Sequence, residues 1–228
     1  MLDNAQFLPG SVEAQQGIQE ELHSSLSVEN DESDEEIDEV ALESNMQSEH
    51  SSQSCQSSIY DVEKMAIKLL AIRAFTAFEL RKKLQAKKFP LYMVNDVIMD
   101  LLSRGFINDS LYAESFSRSR WSSSTWGPSR IKQALSQKGI SRVDAEKAVK
   151  LVFLESDPNT EEEEPIMGLS KLSMDHLLAQ ATKKWDRSGN IPNEKRKARV
   201  ISWLQYRGFN WGVIGFVLKK LEAKYSPL

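Results

Sequence analysis

The chain has 228 residues, 40% of them hydrophobic, with one cysteine and a formal net charge of −4. A single cysteine, Cys55, excludes an internal disulfide and fits a reducing compartment. No apolar stretch is long enough to cross a bilayer, and the start at Met1 shows neither an Arg-rich transit peptide nor a secretory signal.

The modest net charge conceals two kinds of chain. Residues 1–59 carry 14 Asp and Glu and no Lys or Arg; residues 60–228 hold all 29 basic residues against 19 acidic ones. The first segment is rich in Ser, Gln, Glu and Asp, and its few apolar residues are scattered. It cannot bury enough surface to offset chain entropy and reads as a disordered tail. A weak helical cadence in Ile37, Val40 and Ala41 is its only periodicity. The basic remainder has the field that attracts polyanions.

The first periodic unit, residues 60–107, opens with Val62, Met65, Ala66, Leu69 and Leu70 at helical spacing. Thr76-Ala77-Phe78-Glu79 is a capping box that starts a second helix with Leu80 and Leu84 on its inner face. Pro90 ends that helix. A third helix places Val94, Val97, Ile98, Leu101 and Leu102 inward, and Gly105 caps it. In residues 108–154, Asp109 is expected to cap a helix with Leu111, Tyr112, Ala113 and Phe116 near its inner face, interrupted at the polar run 122–125. Gly127-Pro128 starts the next helix, with proline at a position where its missing donor is harmless. Ser141 caps the last, which carries Ala145, Ala148, Val149 and Val152. An acidic linker covers residues 155–170. The third unit, residues 171–228, is expected to hold helices near 175–185, from 193 to 206, and from 210 onward. No stretch alternates with period two.

The three units repeat one pattern. Leu84-Gln85-Ala86-Lys87-Lys88-Phe89, Leu135-Ser136-Gln137-Lys138-Gly139-Ile140 and Leu204-Gln205-Tyr206-Arg207-Gly208-Phe209 share a leucine, a cation three residues on and an apolar residue five on. The register continues through Val94, Ala145 and Ile214 and ends at Leu101, Val152 and Leu221. The offsets, 51 and 69 residues, are constant with no gap. The predicted fold is therefore all-α: three tandem three-helix repeats in an elongated array, preceded by the disordered tail.

The chemical inventory points away from an enzyme. There are three histidines, His23, His50 and His176, and no zinc-ligand spacing, no Gly-rich phosphate loop and no catalytic constellation. Asp96 and Asp100 are one helical turn apart and read as solvated. No cofactor or metal is expected. The basic residues carry more information. Arg118, Arg120, Arg130, Lys132 and Lys138 cluster around Trp121 and Trp126, while Arg196, Lys197, Arg199 and Arg207 repeat the polarity in the third unit. Cations on the second helix of every unit are expected to form a stripe for a polyanion or an acidic partner. Charge reversal at Arg130 and Lys138 is expected to remove binding and spare the fold.

Phe106-Ile107-Asn108-Asp109, Tyr112-Ala113, Arg118, Arg120, Gly127, Arg130-Ile131, Leu135 and Lys138-Gly139-Ile140 together resemble the RecX family. Arg73, Glu79-Leu80, Leu84 and the segment 101–105 fit its first repeat. The third unit, with its run from Trp203 to Trp211, looks like the plant-type branch. The resemblance implies a compact non-enzymatic regulator that binds the groove of a RecA-type recombinase filament on single-stranded DNA as a monomer and limits its activity. It supplies no catalytic residues. It implies a cytoplasmic home, or an organelle if a presequence precedes this chain. The alternative is a helical module acting directly on duplex or single-stranded DNA. The third helices show little clustering of Asn, Gln or Arg, which argues against reading a base sequence.

Overall fold

The computed structural model describes residues 58–154, 164–189 and 191–225. The acidic tail, with Cys55, His23, His50 and the cadence at Ile37, lies outside the described residues, as does most of the acidic linker. Among the described residues the fold is all-α. Helices α1 (Ile59–Ile72), α2 (Ala77–Ala86), α3 (Leu91–Ser103), α4 (Asp109–Ser124), α5 (Pro128–Gln137), α6 (Arg142–Phe153), α7 (Lys171–Asp186), α8 (Asn193–Tyr206) and α9 (Trp211–Tyr225) follow in order. One isolated bridge pairs Ile166 with Leu169 ahead of α7.

The helices pack in consecutive triplets, α1–α3, α4–α6 and α7–α9. The repeated leucines explain why. Leu84, Leu135 and Leu204 are each fully buried, as are Leu101, Val152 and Leu221 to within a few per cent. Burying each such side chain stabilises by roughly 1.5–3 kcal/mol. The buried residues of α4–α9 form one continuous cluster from Ala113 to Leu221, and the core of α1–α3 stands apart from it.

Local chemistry sets the ends of each helix. Ser58 and Thr76 form reciprocal capping boxes with Asp61 and Glu79, and Ser141 and Ser170 cap α6 and α7. Lys88, Gly139 and Gly208 are equivalent positions after the second helix of each unit, and all three have positive φ, at 65°, 77° and 88°.

Four local expectations need correction. Asn108, not Asp109, caps α4: its side chain accepts from the Leu111 N–H at 2.9 Å. Asp109 instead reaches another unit, where its Oδ1 accepts from the Ala77 N–H at 2.9 Å. Leu102 and Leu111 are 41% and 60% exposed, because each falls off the inward face that its neighbours occupy. The polar run 122–125 does not interrupt α4, which continues to Ser124 and ends with Thr125 left-handed at φ 52°. Helix α7 begins at Lys171, four residues earlier than expected, because Ser170 supplies the cap.

Candidate interaction surface

The units are joined through their second helices. At the first junction, the start of α2 meets the end of α5. Thr76 Oγ1 donates to the Lys138 carbonyl at 2.7 Å, and Lys138 Nζ donates to Glu79 Oε1 at 2.9 Å. At the second junction, the start of α5 meets the end of α8. The Gly127 N–H donates to the Arg207 carbonyl at 2.6 Å, and the Ser129 N–H donates to the Gly208 carbonyl at 3.3 Å. Thr76 and Gly127 are equivalent positions, as are Lys138 and Arg207. Each junction thus sets donors at one helix start against the carbonyls that end another, which satisfies groups a helix leaves unpaired and aligns their dipoles favourably.

The glycines make this approach possible. A Cβ on Gly139 would lie 2.3 Å from Phe78 Cβ; one on Gly208 would lie 2.6 Å from the Arg130 backbone nitrogen. Lys88, the equivalent residue of the first unit, has an exposed side chain. At the other end, α8 begins three residues before the position equivalent to Thr76 and Gly127, so Arg196 sits inside a helix rather than at its cap.

An alternating ladder of cations and rings crosses the middle unit between the two junctions. Lys138 Nζ lies 5.6 Å from the Phe116 ring. Arg120 lies 5.2 Å from Phe116 and 5.1 Å from Trp126. Arg130 lies 4.2 Å from Trp126 and 4.3 Å from Tyr206. Trp126 is buried, and Trp121 packs at 4.8 Å on Phe153 and 4.9 Å on His176. The structure thus gives both tryptophans to the core and its margin, and makes His176 a packing partner of Trp121.

The predicted cations therefore divide. Lys132 and Arg199 are exposed on α5 and α8, and Arg118 is exposed on α4, where it pairs with Glu114 at 3.2 Å. Lys138, Arg130 and Arg120 belong to the junctions and the ladder. Arg196 donates to the carbonyls of Ile191 and Gly189 and lies over Trp185. Lys197 is held 3.0 Å from both Glu194 and Glu222, and these hydrogen bonds raise its pKa. Arg207 is partly buried, with its carbonyl in the second junction. Arg130 and Lys138 both carry contacts between units, so reversing their charge would disturb the junctions as well as the exposed surface.

Burial lowers the pKa of Lys138, but its hydrogen bond and charge interaction with Glu79 outweigh burial and raise it overall. Its ammonium is thus a fixed cation throughout the neutral range. Among the described residues no group of three or more His, Cys, Asp and Glu is placed to hold a metal, and no helix is long and apolar enough to cross a membrane.

Fold and surface define a tandem three-helix-repeat protein whose second helices meet start to end and carry cations. The family model for the second three-helix domain of RecX matches residues 108–149, and that for the third matches residues 173–218. Regulatory protein RecX of Pseudomonas syringae pv. tomato is 30% identical over 160 residues, spanning 69% of this chain and 89% of that protein. The Pseudomonas fluorescens regulatory protein RecX is 31% identical over the same coverage. The crystal structure of RecX from Lactobacillus salivarius superposes with a TM-score of 0.60 at 26% identity, covering 72% of this chain and 97% of that one. The chain belongs to the RecX family.

Proposed function

We propose that this protein is a non-enzymatic regulator of a RecA-type recombinase, which binds the recombinase filament on single-stranded DNA as a monomer and inhibits it. Family membership over nearly the whole length of relatives named as regulatory proteins supports this reading. The head-to-tail second helices supply the physical means. A filament repeats, and a protein built from repeats can present similar chemistry to successive subunits. The exposed cations Arg118, Lys132 and Arg199 are the proposed contacts. Arg130, Lys138 and Arg207 lend charge at the junctions between units, whereas Arg120, Arg196 and Lys197 lend it from contacts within their own units.

The test is the recombinase's DNA-dependent ATP hydrolysis, measured with wild-type protein and with the double variant Lys132→Glu/Arg199→Glu. Both residues are exposed, so the melt is expected to move by no more than about 0.5 kcal/mol in stability. Wild type is expected to slow hydrolysis and the variant to do so much less. Equal slowing by two folded proteins would remove these cations from the interface. A second reading, direct action on DNA, draws on the basic body and predicts that bare DNA alone saturates binding.

A further inference from the structure

At the second junction a cleft of about 400 Å³ opens between α5 and the end of α8, lined by Ser129, Arg130, Gln133, Gln205, Tyr206 and Gly208. Its volume falls within the range of small-ligand sites. Tyr206 is 51% exposed although it is a large aromatic at the end of a packed helix. Arg130 lies over the ring at 4.3 Å, and its guanidinium also donates to the Tyr206 carbonyl at 3.2 Å and to its hydroxyl at 3.4 Å. The ring is thus held by a cation and remains half open to solvent. Gln133 and Gln205 are both exposed and bring two carboxamides to the same cleft.

We propose that this cleft holds one base of single-stranded DNA. The exposed part of Tyr206 stacks on the base, Arg130 fixes the ring and contributes positive charge, and the two carboxamides take hydrogen bonds from the base edge. A carboxamide carries both donors and acceptors, so the pair serves any base, and every base has a face to stack. A base inside a duplex has its faces covered by neighbours, so the site selects single strands. The cleft lies where Gly127 and Gly208 let the start of α5 approach the end of α8, so the same junction that joins the units frames the site. This contact goes beyond regulation of a recombinase and needs no recombinase to be observed.

Full-length protein is titrated against a fluorescent oligothymidine, an abasic strand of equal length and a duplex, with anisotropy as the readout. Wild type is expected to favour the oligothymidine over the abasic strand by roughly fivefold or more, the size of one stacked base. Tyr206→Leu is expected to erase that preference and Tyr206→Phe to keep it. Gln133→Ala/Gln205→Ala changes only exposed side chains and tests the cleft without touching the Arg130 stack; it is expected to weaken oligothymidine binding several-fold. Equal binding of base-bearing and abasic strands, or of single strand and duplex, would overturn the proposal. So would unchanged binding by the folded glutamine double variant.

Discussion

The two junctions bring equivalent positions together but bond them differently: Thr76 Oγ1 reaches the Lys138 carbonyl at the first, and the Gly127 N–H reaches the Arg207 carbonyl at the second. Glu79 and Arg130 occupy equivalent positions, as do Lys138 and Arg207. The first junction can therefore close with an ion pair, Glu79 to Lys138 at 2.9 Å. The second has a cation at both positions, and Arg130 turns instead to Trp126 and Tyr206 at 4.2 and 4.3 Å. Ion pairs are screened by salt, whereas a guanidinium packed between rings draws much of its stabilisation from contact and local fields. What a repeat must preserve is thus the approach of helix start to helix end; the charges around it are free to be rewritten.

The shared approach is the place to break both junctions at once. Gly208→Ala adds a Cβ against the Arg130 backbone at a φ of 88°, and Gly139→Ala adds one against Phe78 Cβ at 77°. Each is expected to cost roughly 2–5 kcal/mol, from left-handed strain plus overpacking. Gly105→Ala supplies the control. It has φ 76° and open space around the new Cβ, so only the conformational part, about 1–2 kcal/mol, should appear in its thermal melt. A Gly208→Ala loss no larger than the Gly105→Ala loss would mean the junction yields without strain.

The next contrast separates the two chemistries. Arg130→Ala removes two ring contacts and is expected to cost about 1–2 kcal/mol, nearly unchanged between low and high salt. Arg130→Lys should recover little, since an ammonium lacks the planar group that stacks and forks. The first junction is expected to behave otherwise. A double-mutant cycle on Glu79→Ala and Lys138→Ala should give a coupling up to ~1 kcal/mol that shrinks in 1 M salt. Equal salt sensitivity at Arg130 and in this cycle would erase the distinction.

Alkaline titration sharpens the same contrast. The folded pKa of Lys138 is raised, so its contribution is fully present below the unfolded value and is lost as pH rises through the folded one. Wild type should therefore lose stability above about pH 10.4 relative to Lys138→Met, with no difference between them in slope across the neutral range. A difference confined to neutral pH would assign the effect to another group.

The smallest effect is expected at the free end of the repeat. Lys88→Gly relieves a left-handed lysine, worth about 1–2 kcal/mol, but adds freedom to the unfolded chain worth about 0.4–1 kcal/mol, so a net gain of about 1 kcal/mol or less is expected in a thermal melt. The Lys88 side chain is exposed, whereas a Cβ at Gly139 or Gly208 would meet the start of a neighbouring unit's second helix.

Much of the fold was legible in the sequence. The spacing of Leu84, Leu135 and Leu204 marked the buried face, and Thr76 with Glu79 marked a helix start. The candidate surface was less legible. Arg130 and Lys138 look like solvated cations when each helix is read alone, because their partners, Tyr206 and Glu79, lie 76 and 59 residues away in the chain. Asp109 looks like a cap for the same reason: the Ala77 N–H it binds is 32 residues away.

Periodicity, caps and turn residues act over one or two helical turns, so the sequence alone determined that the body is helical, that it repeats three times, and where most helices begin and end. Tertiary structure decided what the repeats do to one another. It turned Gly139 and Gly208 from helix stops into contact points, drew Glu79 and Arg130 into different alliances at one position, and opened a cleft beside Tyr206. Those outcomes depend on where the end of one unit's second helix meets the start of another's, and no local pattern encodes a distance between residues so far apart in the chain.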